Sequence, residues 1–283
     1  MKKSASFLFL FVFFNLAFSE EDISALYQEA IKYYNESKYT TAIQYWKRIL
    51  EIDPHQIPPK KLIEIARQKM QKELKPLLHS FTGFYQKGRY KTAVQVAVKI
   101  LDMDPANEEI KKKKEKLEKV IPFFEEATGK GKFWKVIRIG INAYLNDQPD
   151  VVLDAVIYAS QINTEPKNTE KIQKLVSFFE KLYPEERAKI KLIAGMNLIT
   201  QRLQSALDSI YKADYTGAIM ECDRVLKIDP NNTLALMRKG SAYYALKKYS
   251  QAERNWEKVL KIDPNNREVK KFLKALRRAR RKK

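Results

Sequence analysis

An all-α fold built from stacked helical hairpins follows from three observations. Apolar residues return at helical spacing along most of the chain, the heptapeptide pattern Leu-Lys-Ile-Asp-Pro-Asn-Asn occurs twice, and 283 residues hold only 8 Gly and 11 Pro, too few for a strand-and-turn fold. Residues 231–264 state the unit. Leu236, Gly240 and Tyr243 share one helical face, Tyr249, Ala252, Trp256 and Val259 share another, and Lys261-Ile262-Asp263-Pro264 closes the pair. Gly240 and Ala252 mark a close approach of two antiparallel helices, with Tyr243, Tyr249 and Trp256 filling the wider gaps. Pro264 stops the second helix because it has no N–H to donate and disfavours helical geometry at Asp263. A hairpin this small cannot bury its own apolar faces and needs copies on either side.

The copies are present. Leu226-Lys227-Ile228-Asp229-Pro230-Asn231-Asn232 returns as Leu260-Lys261-Ile262-Asp263-Pro264-Asn265-Asn266, with the prolines 34 residues apart. Ahead of Pro230, the residues Ala206, Tyr215, Ala218, Cys222 and Val225 take the places of Gly240, Tyr249, Ala252, Trp256 and Val259. Near the N-terminus the pattern is Leu26, Ala30, Tyr33, Tyr39, Ala42, Trp46, Ile49 and Pro54. On these residues the chain resembles the tetratricopeptide repeat (TPR) family, whose period this is. The resemblance implies a right-handed superhelix of helix pairs, a TPR-like helical-hairpin solenoid, whose concave groove binds peptides or helices of partner proteins.

Residues 1–19 read as an export signal rather than as part of the fold. Lys2 and Lys3 precede an apolar run from Phe7 to Phe18, and Ala17 and Ser19 stand where a signal peptidase reads, which predicts cleavage before Glu20. The run is 12 residues, shorter than the ~20 of a spanning helix, although an uncleaved anchor is the competing reading. A lipoprotein would need a cysteine at the cleavage site, and the one cysteine is Cys222. Its small-residue core position predicts a buried, inert thiol. The chain is therefore expected to be exported, in the periplasm of a bacterium, and no structural disulfide is expected within it.

Residues 20–106 hold two repeat-like units. Between them Ile57-Pro58-Pro59 breaks the chain, Lys60 to Leu74 reads as an inserted amphipathic helix, and Pro76 is suited to begin the next helix. The second unit is Leu77, Phe81, Phe84, Tyr90, Ala93, Ala97, Ile100 and Pro105. Residues 107–199 are divergent. A charged helix is predicted from Glu108 to Val120, a second near Pro122, and a third through Trp134, Ile137, Ile141 and Tyr144 that Pro149 ends. A further hairpin is expected from Val151 to Pro184, then a helix from Pro184 through Ile190, Leu192, Ile193, Met196, Leu198 and Ile199. Whether these central hairpins stack continuously with the rest is left open by the sequence. Residues 200–266 are the two C-terminal repeats, and 267–283 a basic capping helix and tail.

Catalytic and metal chemistry find no foothold in the sequence. His55 and His79 lie in different units without zinc spacing, Gly129-Lys130-Gly131-Lys132 is followed by Phe133 where a phosphate-binding loop needs Ser or Thr, and no nucleophile motif occurs. No cofactor or metal is expected, and an enzyme site assembled from the divergent central helices is the alternative to a binding protein. By the resemblance, the first helix of each unit lines the groove, which places Tyr27, Ile31 and Tyr34, then Leu78, Thr82 and Tyr85, then Met237, Arg238, Ser241 and Tyr244 on it. For each tyrosine, contact with a partner and packing between helices are equally open readings. The carboxylate-clamp set of chaperone-binding TPR domains is not matched: Tyr27 and Ile31 stand at its first-unit positions, and only Arg238 fits in the last unit.

Charge is concentrated at one end. The chain carries 54 Lys and Arg against 34 Asp and Glu, a formal charge of +20, and residues 267–283 alone hold ten basic side chains and one acidic one. Val269, Phe272, Leu273 and Leu276 share a helical face that predicts a cap on the last repeat. Arg277, Arg278, Arg280, Arg281, Lys282 and Lys283 beyond it read either as a solvated end or as a contact for anionic membrane or cell-wall polymer. Nucleic acid is not an expected partner of an exported protein. The sequence thus predicts a non-enzymatic scaffold that holds a protein partner in an envelope-associated complex.

Overall fold

The computed structural model describes residues 22–281, with Arg281 described in its backbone alone. The predicted signal and its cleavage position, as well as Lys282 and Lys283, lie outside the described residues. Among the described residues there are 14 α-helices and no strand. The chain forms two compact units, one holding the residues up to Pro76 together with Lys99–Ala106, the other Leu77–Val98 together with everything from Asn107 onward.

In the first unit α1 (Ile23–Asn35) and α2 (Tyr39–Ile52) form an antiparallel hairpin. Ala30 and Ala42 are fully buried where the helices approach, and Tyr39, Trp46 and Ile49 fill the space beside them. Full burial of side chains of this size contributes about 1.5–3 kcal/mol each. Ile63 and Ala66 complete the core from α3 (Ile57–Gln86), and the Tyr39 hydroxyl donates to Glu73 at 2.9 Å. The predicted break at Pro76 does not occur: the inserted helix and the start of the second repeat are one 30-residue helix with Pro76 inside. Pro76 leaves the Lys72 carbonyl without its helical donor, but Lys72 and Pro76 are both exposed, so that carbonyl keeps access to solvent.

A single backbone device marks every hairpin. Ser37, Gly88, Asp147, Ala213 and Lys247 all have positive φ, and each lies two residues before a second helix, at Tyr39, Tyr90, Pro149, Tyr215 and Tyr249. The left-handed residue reverses the chain with just two others, so the second helix starts directly against the first. The hairpins so defined are α1 with α2, the part of α3 from Leu77 with the part of α4 (Tyr90–Met103) up to Val98, α6 (Lys132–Leu145) with α7 (Pro149–Ile162), α10 (Leu198–Tyr211) with α11 (Tyr215–Ile228), and α12 (Thr233–Ala245) with α13 (Tyr249–Ile262).

This assignment corrects the central region. Pro149 begins α7 at its first turn instead of ending α6, because the missing N–H is harmless there. The hairpin is therefore α6 with α7, and Gly140 takes the close-approach position: a Cβ on it would lie 3.1 Å from that of Ala155. The expected partner of α7, α8 (Pro166–Leu182), packs as an additional helix. Before this hairpin, α5 (Glu108–Val120) forms as predicted with Asn107 capping it, but the expected helix near Pro122 is absent. Residues 122–130 run without helix as a strap, whose Ala127 amide donates to the Gly88 carbonyl at 2.7 Å.

The second unit is organised around α7. Residues 151–159 are buried without interruption, and α7 packs against α6, α8, α10 and α11. The helix predicted from Pro184 to Ile199 is also corrected. It splits into α9 (Pro184–Ala188) and a loop, since Gly195 has φ +81° and Asn197 caps α10 by accepting from the Thr200 amide. From α10 onward the hairpins stack in sequence, and α14 (Arg267–Arg281) closes the stack. Asn232 and Asn266, which follow the two Asp-Pro stops, cap α12 and α14 from their side-chain oxygens. The predicted cap is present: Val269, Leu273 and Leu276 are buried, and the Phe272 ring lies 5.2 Å from that of Trp256. It is longer than expected, because helix continues through the basic run and Arg280 pairs with Glu253 at 2.6 Å.

Candidate partner-binding surface

The first helices were expected to carry the binding surface, and their side chains divide sharply between packing and presentation. On α1, Ile31 is 40% exposed, and with Tyr27, Gln28, Lys32 and Asn35 it borders a shallow depression of about 460 Å³. The Tyr27 hydroxyl is buried without a hydrogen-bond partner, and burial raises its pKa. Tyr34 instead serves its own hairpin, with its ring edge-on to Tyr39 at 5.6 Å and the Lys69 ammonium 4.8 Å above it. Tyr85 is 5% exposed and edge-on to Phe81, so its ring offers no face to a ligand. Its neighbours Leu78 and Thr82 are half-buried.

The last repeat shows the same division. Tyr244 is half-buried between Tyr249 and Trp256, at 5.5 and 5.8 Å between ring centroids. Met237 is half-buried and its carbonyl accepts from the Trp256 indole at 3.2 Å and from the Ser241 hydroxyl at 3.1 Å. That indole sits where a Gly240 Cβ would be, which fixes glycine at this crossing. The Arg238 guanidinium donates to the Leu203 carbonyl of α10 and thereby ties successive first helices together.

Two large apolar or aromatic residues outside the expected set stand open on α10 and α12. Tyr211 on α10 is 80% exposed and Leu234 on α12 is 41% exposed. Leu234, Met237 and Ser241 lie at helical spacing on one face of α12, and shifting them back by the 34-residue period gives Thr200, Leu203 and Leu207 on α10. The same shift applied to Ala245 gives Tyr211, which is the signal for it in the sequence. Since α10 and α12 pack directly, the two faces adjoin.

Behind this face lies a buried ionic network. Asp154 of α7 accepts from Arg202 of α10 at 2.5 Å and from Arg224 of α11 at 3.0 and 3.1 Å, and Arg202 also donates to Glu221 at 3.1 Å. Burial pushes the Asp154 carboxyl up from its ordinary value, against the pull of the two guanidiniums. The network fixes which turn of α7 meets α10 and α11, since a shift of one residue would leave a charge buried alone. Cys222 on α11 is buried as expected, and its thiol is pushed up to about 12 by burial.

The remaining expected features are occupied structurally. The Gly129 carbonyl accepts from Arg138 at 3.1 Å, and Lys132 pairs with Asp229 at 3.0 Å, so the glycine-rich loop is anchored as the end of the strap. Among the described residues no group of three or more His, Cys, Asp or Glu is arranged to hold a metal ion. Arg277 and Arg278 are exposed on α14, whereas Arg280 is engaged by Glu253 and Ser250.

With this geometry in view, residues 233–266 match the family model of the tetratricopeptide repeat. The α12–α13 hairpin thus resembles a tetratricopeptide repeat. Among solved structures the chain is similar to the TPR2AB-domain:pHSP90 complex of yeast Sti1, with 15% identity over 86% of this chain and 78% of that one and a TM-score of 0.24. It is also similar to the TPR domain of P58(IPK), with 14% identity over 92% of this chain and 99% of that one and a TM-score of 0.24. No curated protein matches.

Proposed function

We propose that this protein is a non-enzymatic TPR scaffold, exported to a bacterial envelope, that holds a segment of a protein partner against the first-helix face of its hairpins. The observation that carries this reading is the face formed by α10 and α12, where Tyr211 and Leu234 stand open beside half-buried Leu207, Ile210 and Met237. Large apolar and aromatic side chains held on rigid helices make contact area at little entropic cost. Export is supported by the charged start and short apolar run of residues 1–19. The test is photocrosslinking in the producing cell from positions 211 and 234, with exposed Met220 on the second helix α11 as control. The expected result is one shared adduct from positions 211 and 234 and none from 220; equal adducts from all three positions would overturn the assignment.

A second reading rests on α14. With its apolar face buried, the helix turns Arg267, Lys270, Lys271, Lys274, Arg277 and Arg278 outward, a row of cations suited to an anionic polymer or membrane surface. Binding through it should fall steeply with salt and be lost when Arg277 and Arg278 are replaced by Gln, with the melting temperature unchanged.

A further inference from the structure

The loop between α9 and α10 displays apolar side chains that the fold does not use. Residues 191–196 are all exposed, among them Leu192, Ile193 at 54% and Met196. The display is built rather than frayed. Ile190 is buried as an anchor and its carbonyl accepts from Arg187 at 2.8 Å. The Gln201 side chain clasps the loop from α10, donating to the Lys191 carbonyl and accepting from the Ile193 amide at 3.1 Å. Gly195 in the left-handed region and the Met196 amide on the Ile193 carbonyl at 3.2 Å close a turn that pushes the tip outward.

We infer that this loop is a membrane-contact element that inserts Leu192, Ile193 and Met196 into the interface of an anionic lipid bilayer. The choice of occupant follows from chemistry at the tip and at its base. From Leu192 to Ile199 there is no charged side chain, so the tip can enter the acyl boundary without burying a charge. Exposed Lys191 stands at the base, where its ammonium reaches anionic headgroups while the apolar tip enters the acyl boundary, and Lys189 beside it is paired with Glu186 at 2.5 Å. Without Lys2 and Lys3 of the predicted signal, 52 basic against 34 acidic side chains leave a formal charge of +18, which draws the chain to such a surface. Among the described residues no helix is long and apolar enough to cross a membrane. The inference does not rest on the groove reading, since it uses neither α10 nor α12 face residues.

The test uses the full chain carrying an environment-sensitive fluorophore on Ile193→Cys, which is selective because Cys222 is buried. Mixed phosphatidylglycerol and phosphatidylcholine vesicles should shift its emission to the blue, phosphatidylcholine alone much less, and added salt should reverse the shift. A label on exposed Glu257→Cys of α13 should stay unchanged. Leu192→Asp with Ile193→Asp should weaken vesicle binding about tenfold or more with an unaltered melting temperature, both side chains being exposed. An emission that stays that of water on anionic vesicles overturns the inference. So does a shift that grows with protein concentration in the absence of lipid, which would place a second copy on the loop, or an equal shift on zwitterionic vesicles.

Discussion

The Ala127 amide donates to the Gly88 carbonyl at 2.7 Å, and the Ala127 carbonyl lies 2.5 Å from where a Gly88 Cβ would stand. The strap and the hairpin turn therefore meet backbone to backbone, with Arg138 holding the Ala127 carbonyl from the other side at 2.6 Å. Of the five left-handed turn residues, Gly88 is the one where both φ and space demand glycine. Gly88→Ala should destabilise by about 2–4 kcal/mol, since it adds a backbone collision to left-handed strain. Lys247→Gly, at the matching turn of the last repeat, should leave stability unchanged or raise it by up to about 1 kcal/mol. Urea denaturation of the two variants checks the contrast, and a neutral Gly88→Ala would mean that the strap is not docked.

Asp154 and Arg202 are each less than a tenth exposed, and cutting Asp154 strips Arg202 and Arg224 of their shared carboxylate, leaving buried Arg202 with Glu221 alone. Asp154→Ala should cost about 3–5 kcal/mol, and Asp154→Leu combined with Arg202→Met should recover most of that loss. A double-mutant cycle read by chemical denaturation supplies the coupling. Additive losses would show that the two side chains act independently.

Asp147, in the α6–α7 turn, is held below the ordinary carboxylate range by hydrogen bonds from Lys116 and then Lys112 of α5. Lys116 is buried and also donates to the Tyr144 carbonyl at 2.8 Å, so this contact docks α5 onto the turn. Because the folded pKa is depressed, the contribution of Asp147 is full above its unfolded value of about 3.9 and is lost as pH falls through the lower folded value. The stability gap between wild type and Asp147→Asn should accordingly be constant near neutrality and close below about pH 4. The contribution is small because the aspartate is more than half exposed. A gap that persists into acid would assign the effect to turn geometry instead.

The repeats legible in the sequence are those whose second helix keeps one face to solvent. Tyr39, Ala42, Trp46 and Ile49 stand out because exposed Gln44, Lys47 and Arg48 interrupt them. In α7 the period vanishes, since every residue from Val151 to Ala159 is buried, and a helix covered on all sides has no polar face to read. The strap escaped for a different reason: it is held by Gly88 and Ala127 backbone groups, which leave no trace in side-chain pattern. The apolar run from Ile190 to Ile199 suggested helix although Gly195 and Asn197 already carried the stop and the new start. Ile31 and Met237 lie on the first helices α1 and α12, but whether a tyrosine faces out or in depends on rings from the second helix, as at Tyr34 and Tyr244.

The complete enclosure of α7 also sets an order of events on the way to the native state. Its walls include α10 and α11, so a growing chain must be extended to Ile228 before the helix beginning at Pro149 has all its neighbours. Until then the run from Val151 to Ala159 is an apolar segment without cover, sixty-nine residues and more ahead of the last wall it needs. The terminal hairpins can gain and lose structure next to their neighbours alone, whereas the middle of this protein folds only as a piece.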